Sequence, residues 1–337
     1  MSEMWVCMEL TVISTFAGCG GSSLGYKMAG FKELLAIEWE DNAVETFKLN
    51  FPEIPIWQKD IKEIKSNDIL KFCNIEKGKL DVFDGSPPCQ GFSTAGKREL
   101  KDERNDLFKE YVRLLKGLKP KVFVMENVSG MAKGKMKGKF IEILKELKSA
   151  GYNVKCKQMN AKYYNVAQSR ERLIFIGTRK DLRIEPSFPI ANKKIITVRT
   201  AIKGCKCGLK QDNFIGERLE LSKKIKPYKA GNDITKGMSF NLKRLSFDKP
   251  SRTVIKQIGN NKGVYGGGLI HPTENRHLTI NELKRISSFP DNFKLIGTFQ
   301  EQWARIGNAV MPNMMKAIAE HIRDNILNGK PYKLTIK

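Results

Sequence analysis

A thiol set among prolines and glycines is the strongest chemical signal in this chain. Residues 84–93 read Asp-Gly-Ser-Pro-Pro-Cys-Gln-Gly-Phe-Ser, with Cys89 near the centre. The run Leu80-Asp81-Val82-Phe83 just before it reads as a buried strand. Cys89 therefore stands on a stiff turn at the carboxyl end of a strand, where open α/β sheets carry their chemistry. A nucleophilic thiol needs such a place, exposed to substrate and held in one pose. A lone cysteine is more often a small packing residue. Two prolines beside the most buried position of a core strand would be out of place, however, so the packing alternative is the weaker one.

A second signal lies near the start. Phe16-Ala17-Gly18-Cys19-Gly20-Gly21 follows the strand-like run Val12–Phe16 and precedes a helix over Leu24–Ala29. Glycines at such a turn let the backbone approach a ligand closely. The dinucleotide spacing G-x-G-x-x-G is not met, because Ser23 occupies the third glycine position. That disfavours a nicotinamide-dependent oxidoreductase. Glu38 ends the next strand, where a carboxylate can accept from ribose hydroxyls. Trp39 offers a flat face for an adenine, and Asp60-Ile61 an acceptor and an apolar wall. Each feature alone is ordinary. Together they describe an adenosine pocket without a pyrophosphate site.

Elements that could position these groups alternate along the chain. Strands are expected at Val12–Phe16, Glu33–Ile37, Leu80–Phe83, Val122–Met125 and Leu173–Gly177, with helices over Asp41–Asn50, Asp106–Leu118 and Phe140–Ala150. This alternation implies an α/β fold with a mostly parallel sheet. After about residue 182 the periodicity weakens, and a smaller, irregular, mainly β second domain is expected. Helical patterns return at Thr279–Ser288 and Pro312–Leu327.

Composition narrows the class. At 337 residues and 41% hydrophobic content the chain can bury a large core and hold two domains. No apolar run is long enough for a membrane span, and no signal peptide is read at the start, so a cytoplasmic protein is expected. The net charge is +24. Residues 179–256 hold 20 Lys and Arg against 7 Asp and Glu, so more than half of the excess lies in that stretch. Such a balance points to a polyanion, nucleic acid before membrane. Seven cysteines without a disulfide rhythm suit a reducing compartment. Cys205-Lys206-Cys207 is too tight for the usual zinc pair, and no metal site is expected.

Taken in order, these motifs resemble those of the DNA cytosine-5 methyltransferases of bacterial restriction-modification type. Pro88-Cys89-Gln90 resembles the family's nucleophile motif. Glu126-Asn127-Val128 and Gln168-Ser169-Arg170-Glu171-Arg172 resemble its base-handling motifs, and Arg252-Thr253-Val254 and Gly307-Asn308-Ala309-Val310 its last two. The resemblance spans residues 11–325. It departs at Ser14, where many relatives are acidic, and at Met311-Pro312-Asn313-Met314, which replaces a more proline-rich run. It implies a Rossmann-like catalytic domain of residues 1–182 and 298–337 that binds S-adenosylmethionine, and a target-recognition domain of residues 183–297. Cofactor contacts would come from Phe16, Ala17, Gly18, Cys19, Gly20, Gly21, Glu38, Trp39, Asp60, Ile61, Pro88, Leu107, Asn308 and Val310.

The chemistry then assigns the catalytic groups. Carbon 5 of cytosine is a poor nucleophile until Cys89 adds at carbon 6. Charge then builds toward ring nitrogen 3, where Glu126 would hold a proton and select cytosine. Arg170 and Arg172, one residue apart, suit the base carbonyl, the flipped nucleotide's phosphate, or support of Cys89 and Glu126. A duplex base must be flipped out first, and the basic loop Gln90–Phe108 could close over it. Double-stranded DNA is the expected partner of a monomeric enzyme. A cognate restriction endonuclease would be its functional counterpart without a stable complex. RNA cytosine methylation on the same scaffold, or a non-catalytic DNA-binding role, are the alternatives.

Overall fold

The computed structural model describes residues 9–88, 107–132, 137–206, 208–210, 213–234, 242–259 and 268–327. β1 (Thr11–Thr15), α1 (Gly21–Met28), β2 (Lys32–Glu38), α2 (Asp41–Asn50), β3 (Ile56–Gln58), α3 (Ser66–Phe72), β4 (Val82–Gly85), α4 (Leu107–Leu118), β5 (Val122–Val128) and α5 (Lys137–Ser149) follow in turn. β6 (Tyr152–Asn160) and β7 (Glu171–Arg179) then form a hairpin-like pair. The basic segment carries α6 (Val198–Ile202), α7 (Gly216–Lys224), β8 (Leu242–Arg244), β9 (Gly268–Ile270) and α8 (Ile280–Ile286). α9 (Phe299–Asn308) and α10 (Pro312–His321) come last. Among the described residues no helix is long and apolar enough to cross a membrane.

Strands β1 to β7 form a seven-stranded sheet in the order β3-β2-β1-β4-β5-β7-β6, and β8 and β9 a separate pair. The first five pair in parallel, and β7 is antiparallel to both β5 and β6. From β1 the chain steps outward to β2 and β3, then returns to β4 and steps the other way. The direction reverses between β1 and β4, which opens a crevice at their carboxyl ends. Strand periodicity explains the sheet's two covered faces. Val12, Val82, Val122 and Val124 pack with Tyr26 of α1, Phe47 of α2 and Ile318 of α10. Ile13, Phe83, Phe123 and Met125 pack with Ile69 of α3, Leu114 of α4 and Leu147 of α5.

The basic segment has a small core of its own, Phe214, Leu221, Ile225, Leu242 and Ile270. Its centre is a buried cation. Arg244 donates to the carbonyls of Ser222, Ile225, His271 and Glu274 and to the side chain of Asn275. The mainly β character expected there is limited, among the described residues, to β8 and β9, three residues each. Among the described residues, side-chain-to-backbone bonds such as those of Arg244 hold the loops of this segment.

Helices α1 and α10 meet backbone to backbone. A Cβ on Gly25 would lie 2.6 Å from Met315 Cβ and 2.8 Å from the Pro312 carbonyl oxygen. Alanine is the better helix former by about 1 kcal/mol. The overlap outweighs that gain, because backbone and Cβ atoms cannot step aside. Gly25→Ala is expected to destabilise the protein by about 1–3 kcal/mol in urea unfolding. An unchanged or raised midpoint would show that the contact can relax.

Candidate active site and cofactor cleft

The turn after β1 is built around left-handed backbone. Phe16, Gly18 and Gly20 have φ of 54°, 56° and 91°. Positive φ in a bulky residue such as Phe16 is costly and marks a held conformation. The turn is pinned by Ala17 N–H donating to the Ile37 carbonyl at 3.1 Å and Gly20 N–H to that of Ala17 at 3.0 Å. Each glycine answers a different need. A Cβ on Gly18 would meet nothing within 4 Å, so its surface faces open space and only the backbone angle demands glycine. A Cβ on Gly21 would fall 2.3 Å from the Val310 carbonyl oxygen. Gly21 therefore lets the last motif touch the first. Cys19 turns its thiol into the core, where burial raises its pKa to about 12. Only its backbone is available to a ligand.

Glu38 completes this rim. Oε1 accepts from the N–H groups of Trp39 and Glu40 at 2.8 and 3.0 Å, and Oε2 from Gly18 N–H at 2.8 Å. Oε2 keeps a lone pair for a hydroxyl. Trp39 stands beside it with 71% of its surface exposed. The chain leaving β3 runs alongside, with Lys59 N–H donating to the Glu38 carbonyl at 3.2 Å. It brings up Asp60, which caps the turn Ile61–Glu63, and the buried Ile61. Arg113 of α4 clamps that turn by donating to the carbonyls of Ile61 and Ile64. Leu107 is half-buried at the start of α4, Asn308 is exposed and Val310 is buried. Open space at Gly18, a free indole and an unspent carboxylate lone pair fit an adenosyl group.

The candidate catalytic residues lie across the crevice. Cys89 and Gln90 fall outside the described residues, as do residues 91–106 of the basic loop. Pro88, half-buried, is the last described residue before them. Asn127, buried at the end of β5, donates to the Pro87 carbonyl at 3.3 Å and accepts from Val128 N–H at 2.8 Å. It ties β5 to the turn that leads to the thiol. Glu126 is paired with Arg172, Oε1 to Nε at 2.7 Å. Val128 faces Arg172 and Glu126 faces Ile174 across the ladder, so Glu126 and Arg172 share one face of the sheet.

The two arginines have different jobs. Arg170 is 3% exposed. Its guanidinium donates to the Val254 and Gly307 carbonyls, both at 2.9 Å. Direct contact with a base or phosphate, as expected for both arginines, is therefore revised for Arg170. Of the expected roles its contacts allow support. Burial and the Arg172 charge disfavour its cation, and Glu126 opposes them. Gln168, in the same motif, is a second strut. Fully buried, it accepts from Val254 N–H at 3.0 Å and donates to Ser287 Oγ at 3.0 Å.

Sequence reasoning also missed two acids beneath the cleft. Asp84 of β4 and Glu33 of β2 are buried behind the β1 and β4 turns. Tyr26 hydroxyl reaches Asp84 Oδ1 at 3.3 Å, and Ser23 Oγ donates to Glu33 Oε1 at 3.1 Å. Burial, then the charge of Glu33, lifts the Asp84 pKa to about 8. Burial lifts that of Glu33 to about 7, against the hydrogen bond from Ser23 and the nearby Ser14 hydroxyl. Ser14, the departure noted above, thus stands beside an acid supplied from the next strand.

The family model for C-5 cytosine-specific DNA methylases matches residues 10–324. The type II methyltransferase M1.HphI of Haemophilus parahaemolyticus is 36% identical over 341 residues, covering 94% of this chain and 87% of that protein. M.NgoPII of Neisseria gonorrhoeae is 33% identical, covering 94% and 96%. The crystal structure of a protein encoded within an E. coli prophage superimposes with a TM-score of 0.74 at 26% identity, covering 95% of this chain and all of that one.

The two buried acids set a pH dependence. Their folded pKa values exceed the ordinary carboxylate values of 3.8 and 4.5. The folded state then binds more protons than the unfolded one, so stability falls as pH rises. The contribution is whole below about pH 4 and lost by about pH 8. Asp84→Asn removes the larger share. Its melting temperature should decline less than that of the wild type between pH 6 and pH 9, and parallel declines would exclude the assignment.

Proposed function

The chain belongs to the C-5 cytosine-specific DNA methylases, and from that premise we propose how its residues divide the work of sequence-specific cytosine-5 methylation. The observation that carries the reading is the 2.7 Å Glu126–Arg172 pair. It stands at the end of β5, beside the turn into Cys89 and across the crevice from the glycine loop. Bound S-adenosylmethionine supplies an electrophilic methyl group. Gly18 and the neighbouring loop backbone, Glu38, Trp39, Asp60, Ile61, Leu107 and Val310 would hold it, with Pro88 and Asn308 at the margin.

Cys89 attacks carbon 6 of the flipped cytosine as a thiolate, and the ring electrons move toward carbon 5 and nitrogen 3. Glu126 donates a hydrogen bond to nitrogen 3 in its protonated form and accepts from the exocyclic amine. Arg172 orients that carboxyl and presents positive charge to the base carbonyl. Arg170 and Gln168 act as positioning residues. After methylation, loss of the carbon 5 proton and departure of the thiolate restore the aromatic ring.

The basic segment 183–297 would hold DNA phosphates and read base edges. We further propose a monomer acting on DNA in the cytoplasm, with a restriction nuclease of matching specificity as its counterpart.

Transfer of labelled methyl to duplex DNA and to structured RNA, with bisulfite sequencing, tests the reading. Label on cytosine in one short DNA context is expected; label in RNA alone would overturn it. Cys89→Ala should abolish turnover while DNA and cofactor still bind, and retained turnover would remove the nucleophile assignment. Glu126→Gln should lower kcat by about 10²–10⁴-fold, the usual scale for loss of a general acid. Trp39→Ala should weaken cofactor binding by about tenfold with DNA affinity unchanged. The reverse pattern would argue against stacking.

A further inference from the structure

A second cationic site lies away from Glu126 and Arg172, on the basic segment. Tyr228 sits in a left-handed conformation, φ 63°, after the small core of that segment. Its N–H donates to the Arg244 carbonyl, and Arg244 N–H to that of Lys229, which fastens the turn to β8. Two cations lie over the Tyr228 ring, Lys249 at 4.4 Å and Arg252 at 4.6 Å from its centroid. Arg252 also donates to the Tyr228 carbonyl at 2.7 Å. Lys243, opposite Ala230 in a bridge, belongs to the same cluster: burial, then the Arg252 charge, lowers its pKa.

Three like charges held together call for a counter-anion. Among the described residues no carboxylate pairs with Lys243, Lys249 or Arg252. The acids nearest in sequence are committed elsewhere, Asp233 to Ala230 N–H and Asp248 to Arg199. The flanking stretches 235–241 and 260–267 contain no Asp or Glu at all. A stability role alone would favour an acid here, since unscreened repulsion costs energy.

The backbone at this site is continuous with the catalytic motif. Ser251 pairs with Gln168 in an isolated bridge, and Thr253 Oγ1 donates to the Ser169 carbonyl at 2.8 Å. Arg170 takes the Val254 carbonyl, two residues from Arg252. An anion gripped by Arg252 is thereby set in register with the segment that supports Glu126. We propose that Lys243, Lys249 and Arg252, arranged on Tyr228, form a clamp for backbone phosphates of duplex DNA that fixes where the duplex lies relative to the active site. The proposal rests on the DNA-methylating reading above. Phosphate contacts fix register and carry no sequence information.

The test is anisotropy of a fluorescein-labelled random-sequence duplex across a salt series, with the full chain. Wild type should bind with a steep dependence on salt. Lys249→Gln, an exposed substitution, should reduce the slope of log K against log salt by about 1, and Lys249→Gln with Arg252→Gln by about 2. Loss should be equal on a duplex carrying the methylated site. Unchanged melting and cofactor binding certify the fold of each variant. Parallel salt lines would overturn the clamp while leaving the DNA reading intact. A loss confined to one sequence would also overturn it, in favour of base reading. No duplex binding by the wild type would remove the DNA reading and the clamp together.

Discussion

One buried guanidinium connects the pieces of this molecule that sequence keeps far apart. Arg170 stands just ahead of β7, Val254 lies in the basic segment, and Gly307 is in the last turn of α9. An unpaired buried ion costs several kcal/mol, and here Nη1 and Nη2 each find a carbonyl while Nε has no partner among the described residues. The carbonyls must come to it. Gly307 is compatible with that approach because a Cβ there would fall 2.7 Å from the Ile255 carbonyl oxygen. Gln168 and Thr253 repeat the link from either side. The segment leading into β7, the basic segment and the terminal helices thus share one polar joint.

The cleft depends on a comparable closure. Gly21 admits the Val310 carbonyl and Gly25 admits α10, so the last motif is pressed against the first. Arg305 of α9, buried, pairs with Glu40 just past β2, beside the Glu38 hub. Burial raises the Glu40 pKa, and the Arg305 hydrogen bond and charge overcome it, leaving it lowered. Glu38 is held by three backbone N–H groups, which fixes the rim of the cleft. A rim held in this way reduces the ordering cost of binding.

Much of the scaffold was legible because its signals are local. Four of the five parallel strands are apolar runs bounded by turn residues, whereas the three-residue β3 was not expected, and α2 spans Asp41–Asn50 as its periodicity predicts. β6 escaped notice. It is an edge strand whose outward residues, Lys155, Lys157 and Gln158, are exposed, and such polar edges resist unwanted pairing while erasing the strand pattern. α9 was not among the expected helices, although the capping box Thr298–Glu301 and the helical spacing of Phe299, Trp303 and Ile306 both signal it. Asp84 and Glu33 looked like any strand-flanking acids, since burial leaves no mark on a single side chain.

The sequence alone determined the chemical inventory and its order: a thiol on a proline-rich turn, a carboxyl ending a strand, alternate arginines, a glycine loop without dinucleotide spacing. These depend on residue type and short-range stereochemistry, which the chain carries wherever it folds. The tertiary structure decided which arginine meets the carboxyl and which becomes a strut. It also decided that Cys19 is buried, and that Ser14, Glu33 and Asp84 gather under the site. Those outcomes turn on partners far away in sequence, 137 residues for Arg170 and Gly307 and 286 for Cys19 and Arg305. Burial and charge pairing are properties of the packed whole, so no local pattern can encode them.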